Sequence, residues 1–268
     1  MVGVWRKRDS EVLDRREGNI IGKERELKIP SCYCRIDAEV FKNNIRIRSV
    51  FLPEEMREIG VRSFYNNTTL REVQAPGVEV VGKEAFYNCT RLKEVLFSGA
   101  VSRIGKRAFA QCIRMEQMVF SPNSVCQEIE DEMFSGCENL CQVELPRNVR
   151  RIGKKAFYKC RSLEKIVFPP GIQEIDDSAF LKCSQLEYVQ LPESVRKIEK
   201  WVFHGCTRLK ILEISGEPEE IGEWIVNRST KIRCRRGGKT EAYCREAGFE
   251  VEYFPEKEKK KKIGRAHV

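Results

Sequence analysis

Two adjoining segments, IGKKAFYKCRSLEKIVFPPGIQEI (Ile152–Ile175) and IDDSAFLKCSQLEYVQLPESVRKI (Ile175–Ile198), are copies of one phrase, and that phrase runs through most of the 268-residue chain. Its template is I-x-x-x-A-F-x-x-C-x-x-L-x-x-V-x-L-P-x-x-V-x-x-I. The aromatic slot holds Phe41, Phe64, Phe86, Phe109, Phe134, Phe157, Phe180 and Phe203, without exception. Three residues on stand Asn44, Asn67, Cys89, Cys112, Cys137, Cys160, Cys183 and Cys206. The Phe-to-Phe period is 23 residues in most copies, 22 in one and 25 in another. Self-similarity at this depth decides the architecture before any local motif does. One copy cannot bury its own apolar side, whereas stacked copies share a continuous core. In V-x-L the two apolar residues lie two apart and point to one face of a strand. The three-residue spacing of F-x-x-C suits one or two helical turns packing both side chains inward. The proline after the strand has no N–H to give and ends the ladder. Parallel strands repeating every ~4.8 Å make eight copies a rod on the order of 40 Å long.

A period in the twenties around L-x-x-V-x-L is the leucine-rich-repeat signature. The phrases IGKEAFYNCTRLKEV, IGKKAFYKCRSLEKIVFPPGI and SAFLKCSQLEYVQLPESV resemble the BspA-type subfamily of these repeats, and the resemblance covers residues 11–254. It implies an α/β-type repeat solenoid. This is a right-handed superhelix with one parallel β-sheet on the concave face and short helical or 3-10 turns on the convex face. It also implies a bacterial or protist interaction protein, often surface-exposed and in some members adhesive, with no catalytic residues to carry over.

The expected organisation is an N-terminal capping rung over 1–35, eight repeats over 36–221, a C-terminal cap over 222–254 and a lysine-rich tail over 255–268. In the first of these, LKIPSCYCRI keeps the second half of the template. In the cap, TKIRCRRGGKTEAYCREAGFEVEYF reads as strand, Gly-Gly turn, helix and final strand. Low apolar content predicts disorder for the tail. Its last six residues, IGRAHV, also read as a translated sequencing adapter, which leaves open that the natural chain continues.

The net charge is +9. Residues 256–268 hold six basic and two acidic residues, a net of +4, leaving +5 over the other 255. Mixed charge of that kind describes an ordinary solvated surface, and no basic stripe interleaved with aromatics points to nucleic acid. No run of 18 apolar residues suggests a membrane-spanning helix. The first residues lack the apolar stretch of a secretory signal. As it stands the sequence reads as cytoplasmic and monomeric, or as cell-surface or secreted if its start is missing.

The six cysteines in the repeat slot are one rung apart and point alike, so they read as small buried thiols rather than disulfides or metal ligands. Cys126 and Cys141 are expected to face solvent, which favours a reducing compartment. Cys32-x-Cys34 has no second ligand pair nearby and reads as ordinary turn sequence. His204 is the one histidine of the repeat body, at a surface slot of the template. No phosphate loop, H-E-x-x-H or G-x-S-x-G occurs. The chain therefore reads as non-enzymatic, with no catalytic residue, no cofactor and no metal. Glycines such as Gly60, Gly82 and Gly105 read as turn residues.

The outward strand positions flank the valine slot. There Phe51, Leu96, Val119, Val167 and Ile211 are apolar where water favours polar groups, and Lys165, Tyr188 and Gln190 lie beside them. Apolar and aromatic anchors in a polar surround are what interfaces use. Strand propensity alone also places β-branched and aromatic residues there. Trp201 and Trp224 are either further anchors or lids on the core. The expected activity is binding of a protein partner through the concave sheet; the competing reading is a passive structural or adhesive spacer.

Overall fold

The computed structural model describes residues 11–97 and 101–255. The tail expected to be disordered lies outside the described residues. The chain is a parallel β-solenoid of about ten turns, and each rung contributes to two rows of strands. The long row starts with Glu26–Lys28, Ser49–Phe51, Glu72–Gln74 and Glu94–Leu96, paired in parallel so that Leu27, Val50, Val73 and Val95 align. It continues with Gln117–Val119 on Gln142–Glu144. It ends with Tyr188–Leu191, Ile211–Ile214, Lys231–Cys234 and Val251–Tyr253.

The second row is built from two-residue strands that end on the closing apolar slot, such as Arg35–Ile36, Glu58–Ile59 and Val80–Val81. It resumes at Glu128–Ile129 and runs to Glu220–Ile221. The row is broken between Arg103–Ile104 and Glu128–Ile129, where the 25-residue copy inserts two extra residues.

The long row is interrupted twice, between Leu96 and Gln117 and across 164–168, where no strand forms. Both interruptions adjoin a phenylalanine at the slot that holds Leu52, Leu145 and Leu191 in other copies; Phe120 holds it too, beside a strand that pairs. Phe97 lies edge-on to Phe109 at 6.5 Å and Phe168 edge-on to Phe180 at 5.7 Å. At each break this edge-on contact joins the ring to the next rung's ring, a contact Phe120 does not make among the described residues, and at the second Pro169–Pro170 removes two backbone donors.

The core is a ladder. The eight template Phe rings stack from rung to rung with centroids 5.0–5.7 Å apart. Beside them the Cys thiols do more than fill space. Each donates to the carbonyl of the Phe one rung back: Cys89 to Phe64 (3.2 Å), Cys137 to Phe109 (3.1 Å) and Cys183 to Phe157 (3.1 Å). Asn67 makes the same bond to Phe41 (2.7 Å), which explains why Asn and Cys share one slot. Each of these carbonyls also accepts the N–H three residues on in its own turn, so the thiol or amide adds a second donor, worth about 0.5–1.5 kcal/mol, and the slot asks for a small side chain that carries one.

The Phe and Cys segments form i→i+3 hydrogen-bonded turns, such as Tyr65 N to Arg62 O and Cys89 N to Phe86 O, rather than continuous helix. Two left-handed residues per rung stop a helix from propagating. One slot holds Glu39, Arg62, Glu84, Arg107, Glu132, Lys155, Ser178, Trp201 and Trp224; the other holds Asn43, Asn66, Asn88, Gln111, Gly136, Lys159, Lys182 and Gly205. In the second, Asn66 donates to Asn43 (3.0 Å) and Asn88 to Asn66 (2.6 Å), so the strained backbone carries a side-chain ladder of its own.

At the start, Val12–Leu13 joins the short row and α1 (Arg15–Ile21) covers the open rung, its first turn capped by Asp14 accepting from Glu17 N at 2.8 Å. At the far end, α2 (Lys239–Ala247) crosses the last rung and stops at Gly248, whose φ of 72° is left-handed.

Candidate functional site

The long-strand row presents three columns of outward residues, set by the parallel register. One lies just before the strands: Arg25, Arg48, Arg71, Lys93, Glu116, Cys141, Glu164, Glu187. The other two flank the buried valine slot. The apolar residues expected to anchor a partner divide into two groups. Val167 (64% exposed), Leu96 (48%), Tyr188 (43%) and Val119 (41%) stand in solvent on this face. Lys165 and Gln190 are exposed among them.

Phe51 and Ile211, expected among the same anchors, are half-buried. Phe51 pairs across the ladder with Lys28, whose ammonium sits 5.9 Å from its ring centroid. Ile211 lies between the paired Tyr188 and Lys231. Glu213, which flanks buried Leu212 on the other side from Ile211, is buried. Its carboxylate accepts from Tyr188 Oη (2.8 Å), Gln190 Nε2 (2.8 Å) and Arg233 Nη1 (2.9 Å). Arg233 reaches on to Glu252 at 2.7 Å, and these acceptors hold its guanidinium above its ordinary pKa, the bond to Glu252 contributing most. Tyr188 is thereby pinned upright on the face, and burial followed by its bond to Glu213 raises its hydroxyl pKa.

Where the row opens across 164–168, a groove of about 670 Å³ forms on the same face. Gln142, Glu144, Arg147, Lys165, Val167 and Phe168 line it. It is open and mixed in character: charged Glu144, Arg147, Glu164 and Lys165 stand beside apolar Val167 and Phe168.

Other expectations meet different outcomes. Cys141 is exposed as expected. Cys126 is buried: it stands three residues before Ile129, in the template slot that Val101, Val149 and Val195 fill in other copies, and its thiol donates to Val101 O at 3.3 Å. His204 is half-buried, its Nδ1 covered and unpartnered, with no nucleophile placed to use it. Trp201 and Trp224 lie exposed in a left-handed slot, under Lys200 and Arg228 respectively, so they do not lid the core. Gly60 and Gly82 have no left-handed φ; a Cβ at Gly82 would meet Val61 N at 2.6 Å, so close rung approach rather than turn geometry selects glycine. Among the described residues no group of three or more His, Cys, Asp or Glu is placed to hold a metal ion. Among them, too, no helix is long and apolar enough to cross a membrane.

Several solved structures share this architecture. A leucine-rich cell surface protein from Faecalibacterium prausnitzii superposes with a TM-score of 0.58 at 22% identity, over 78% of this chain and 69% of that one. A leucine-rich repeat protein from Bacteroides ovatus gives 0.54 at 21% identity, over 79% of this chain and 63% of that one. The T. pallidum leucine-rich repeat protein gives 0.50 at 24% identity, over 81% and 89%. No curated protein matches the sequence significantly. The family described as the BspA type leucine rich repeat region (6 copies) matches residues 23–127 and 117–233. With the Phe and Cys ladders occupying the slots that define that repeat, the chain belongs to the BspA-type leucine-rich-repeat family.

Proposed function

We propose that the protein is a non-enzymatic recognition module that holds a protein partner on its long-strand face. The observation that carries this reading is the exposure of Leu96, Val119, Val167 and Tyr188 on one face while every template Phe is buried. Exposed apolar groups in a polar surround are typical of an interface core with its rim. Tyr188 adds a pre-oriented amphipathic side chain that loses little freedom on binding, because Glu213 already fixes it. A repeat family and a solenoid fold suit interaction or adhesion rather than catalysis. The face mixes Arg with Glu at neighbouring positions, which does not favour a nucleic acid.

The test is capture with purified protein as bait, comparing wild type with the double variant Leu96→Asp, Val167→Asp. Loss of the captured partner with an unchanged melting midpoint supports the reading. Retention of every partner by the double variant contradicts it.

A second reading, a passive or adhesive spacer within a larger cell-surface protein, draws on the cell-surface relative from F. prausnitzii and on the uninterrupted rung-on-rung core. A spacer would tolerate both aspartates with no loss of any binding.

A further inference from the structure

The charges on the long-strand face are segregated along the rod. In the column before the strands, four successive rungs carry Arg25, Arg48, Arg71 and Lys93; the next four carry Glu116, Cys141, Glu164 and Glu187. Arg25, Arg48, Arg71 and Glu164 make no ion pair among the described residues. The column just after the valine slot has its own order: Lys28, Phe51, Gln74, Leu96, Val119, Glu144, Val167, Gln190.

A twofold axis that brings two such faces together and runs parallel to the strands reverses rung order but keeps each column opposite itself. Placed midway between the Glu94–Leu96 and Gln117–Val119 strands, it sets the first rung against the eighth and the fourth against the fifth. Arg25 then meets Glu187, Arg48 meets Glu164 and Lys93 meets Glu116. In the other column Leu96 meets Val119 and Phe51 meets Val167. No like charges face each other in any of the three columns. Moving the axis half a rung toward the N-terminus sets Lys93 and Glu94 against their own copies. Moving it the other way sets Glu116 against itself. The two half-rung neighbours are thereby disfavoured, an axis one rung toward the C-terminus sets Arg48 against Lys210, and an isologous contact needs this kind of self-complementarity.

We propose that the partner held on this face is a second copy of the chain, docked antiparallel about that axis; this rests on the reading of the face as a recognition surface. The contact is modest. Eight rungs at ~4.8 Å and four residues at ~3.3 Å give a patch of ~500 Å² per copy, against about 800 Å² in a standard stable interface. Glu187 has an exposed intramolecular partner, Arg208, and Lys93 and Glu116 already pair within one chain at 3.3 Å, so these partners must be exchanged or shared. Exposed pairs contribute little, so the exchange is nearly neutral. The dimer is thus weak, concentration-dependent and loosened by salt.

Sedimentation velocity of the whole chain, from micromolar to near-millimolar concentration, tests it with a charge swap. Wild type should shift toward dimer mass as concentration rises. Arg48→Glu alone sets Glu against Glu164, and Glu164→Arg alone sets Arg against Arg48, so each should remain monomeric. An equimolar mixture of the two single variants should regain the dimer, because both contacts in the mixed pair are again opposite in sign. That mixture is its own folding control, since a misfolded variant could not restore association. A wild type monomeric throughout overturns the second copy as partner and leaves the face free to hold another protein. A dimer indifferent to both reversals and to Leu96→Asp lies elsewhere on the molecule; it overturns this proposal and counts against the face as a recognition surface.

Discussion

Truncating the ladder at its middle, Phe157→Ala, probes the core most severely. Phe157 is fully buried, with its ring 5.3 Å from that of Phe134 and 5.0 Å from that of Phe180. A buried Phe→Ala change costs about 3–5 kcal/mol, and the cost rises when the cavity cannot collapse. Here collapse is blocked on both sides. Phe134 N donates to Ala156 O and Phe157 N to Ala179 O, both at 2.8 Å, and these bonds fix the rung spacing. Two stacked pairs worth about 0.5–1.5 kcal/mol each disappear as well, so the loss should be about 5 kcal/mol. That is a large share of a typical total stability of about 5–15 kcal/mol. Because each rung touches only its neighbours, the damage should also be local. In urea the midpoint should fall steeply. In hydrogen exchange, amides from Phe134 to Phe203 should lose protection first, while those around Ile36–Phe64 keep theirs longer. A loss under ~2 kcal/mol, or protection lost evenly along the chain, would refute the shared, rung-by-rung core.

Three further outcomes follow from the same geometry. Cys160→Val keeps the volume but removes the second donor to Phe134 O (3.2 Å), which retains the Cys137 N–H at 3.1 Å, and should cost about 0.5–1.5 kcal/mol in chemical denaturation, whereas Cys160→Ser, which keeps a donor, should cost less. Burial raises every ladder thiol above its ordinary value of 9.0, to about 12 for Cys137 and Cys206. The unfolded chain therefore loses these protons first. Their stabilisation is complete below pH 9 and declines as pH rises from there toward the folded values, by up to ~1.4 kcal/mol per thiol per pH unit, so the urea midpoint should drop between pH 8 and pH 10. Phe168→Leu should let the long row close across 164–168; amide exchange at Lys165–Val167 should slow, and unchanged exchange there would mean that Pro169–Pro170 alone opens the row.

The ladders were legible in the sequence because Phe and Cys recur at fixed spacing and the V-x-L pair shows the strand period. The second strand row was not: a two-residue strand such as Arg151–Ile152 is too short to show alternation. The left-handed slots were hidden because most are held by residues such as Glu84, Arg107 and Lys155 that give no turn signal, unlike Gly136 or Asn66. Burial of Cys126 was legible and missed: it holds the valine slot of V-x-x-I before Ile129, which is buried at Val101 and Val149 as well, and a cysteine there hides the match. On the binding face, exposure of Leu96 and Val167 follows directly from register. Burial of Glu213 could not be seen, since its partners Tyr188 and Arg233 lie 25 and 20 residues away. The only local hint was the Arg/Glu/Tyr content of the last rungs.

The most direct test of the shared spine is native-state thiol labelling read by mass spectrometry, residue by residue. Cys32 and Cys141, exposed at the surface, should label at once, while Cys89, Cys112, Cys137, Cys160, Cys183 and Cys206 stay unmodified until the array unfolds. Labelling of the six repeat cysteines at the same rate as Cys141 would contradict it.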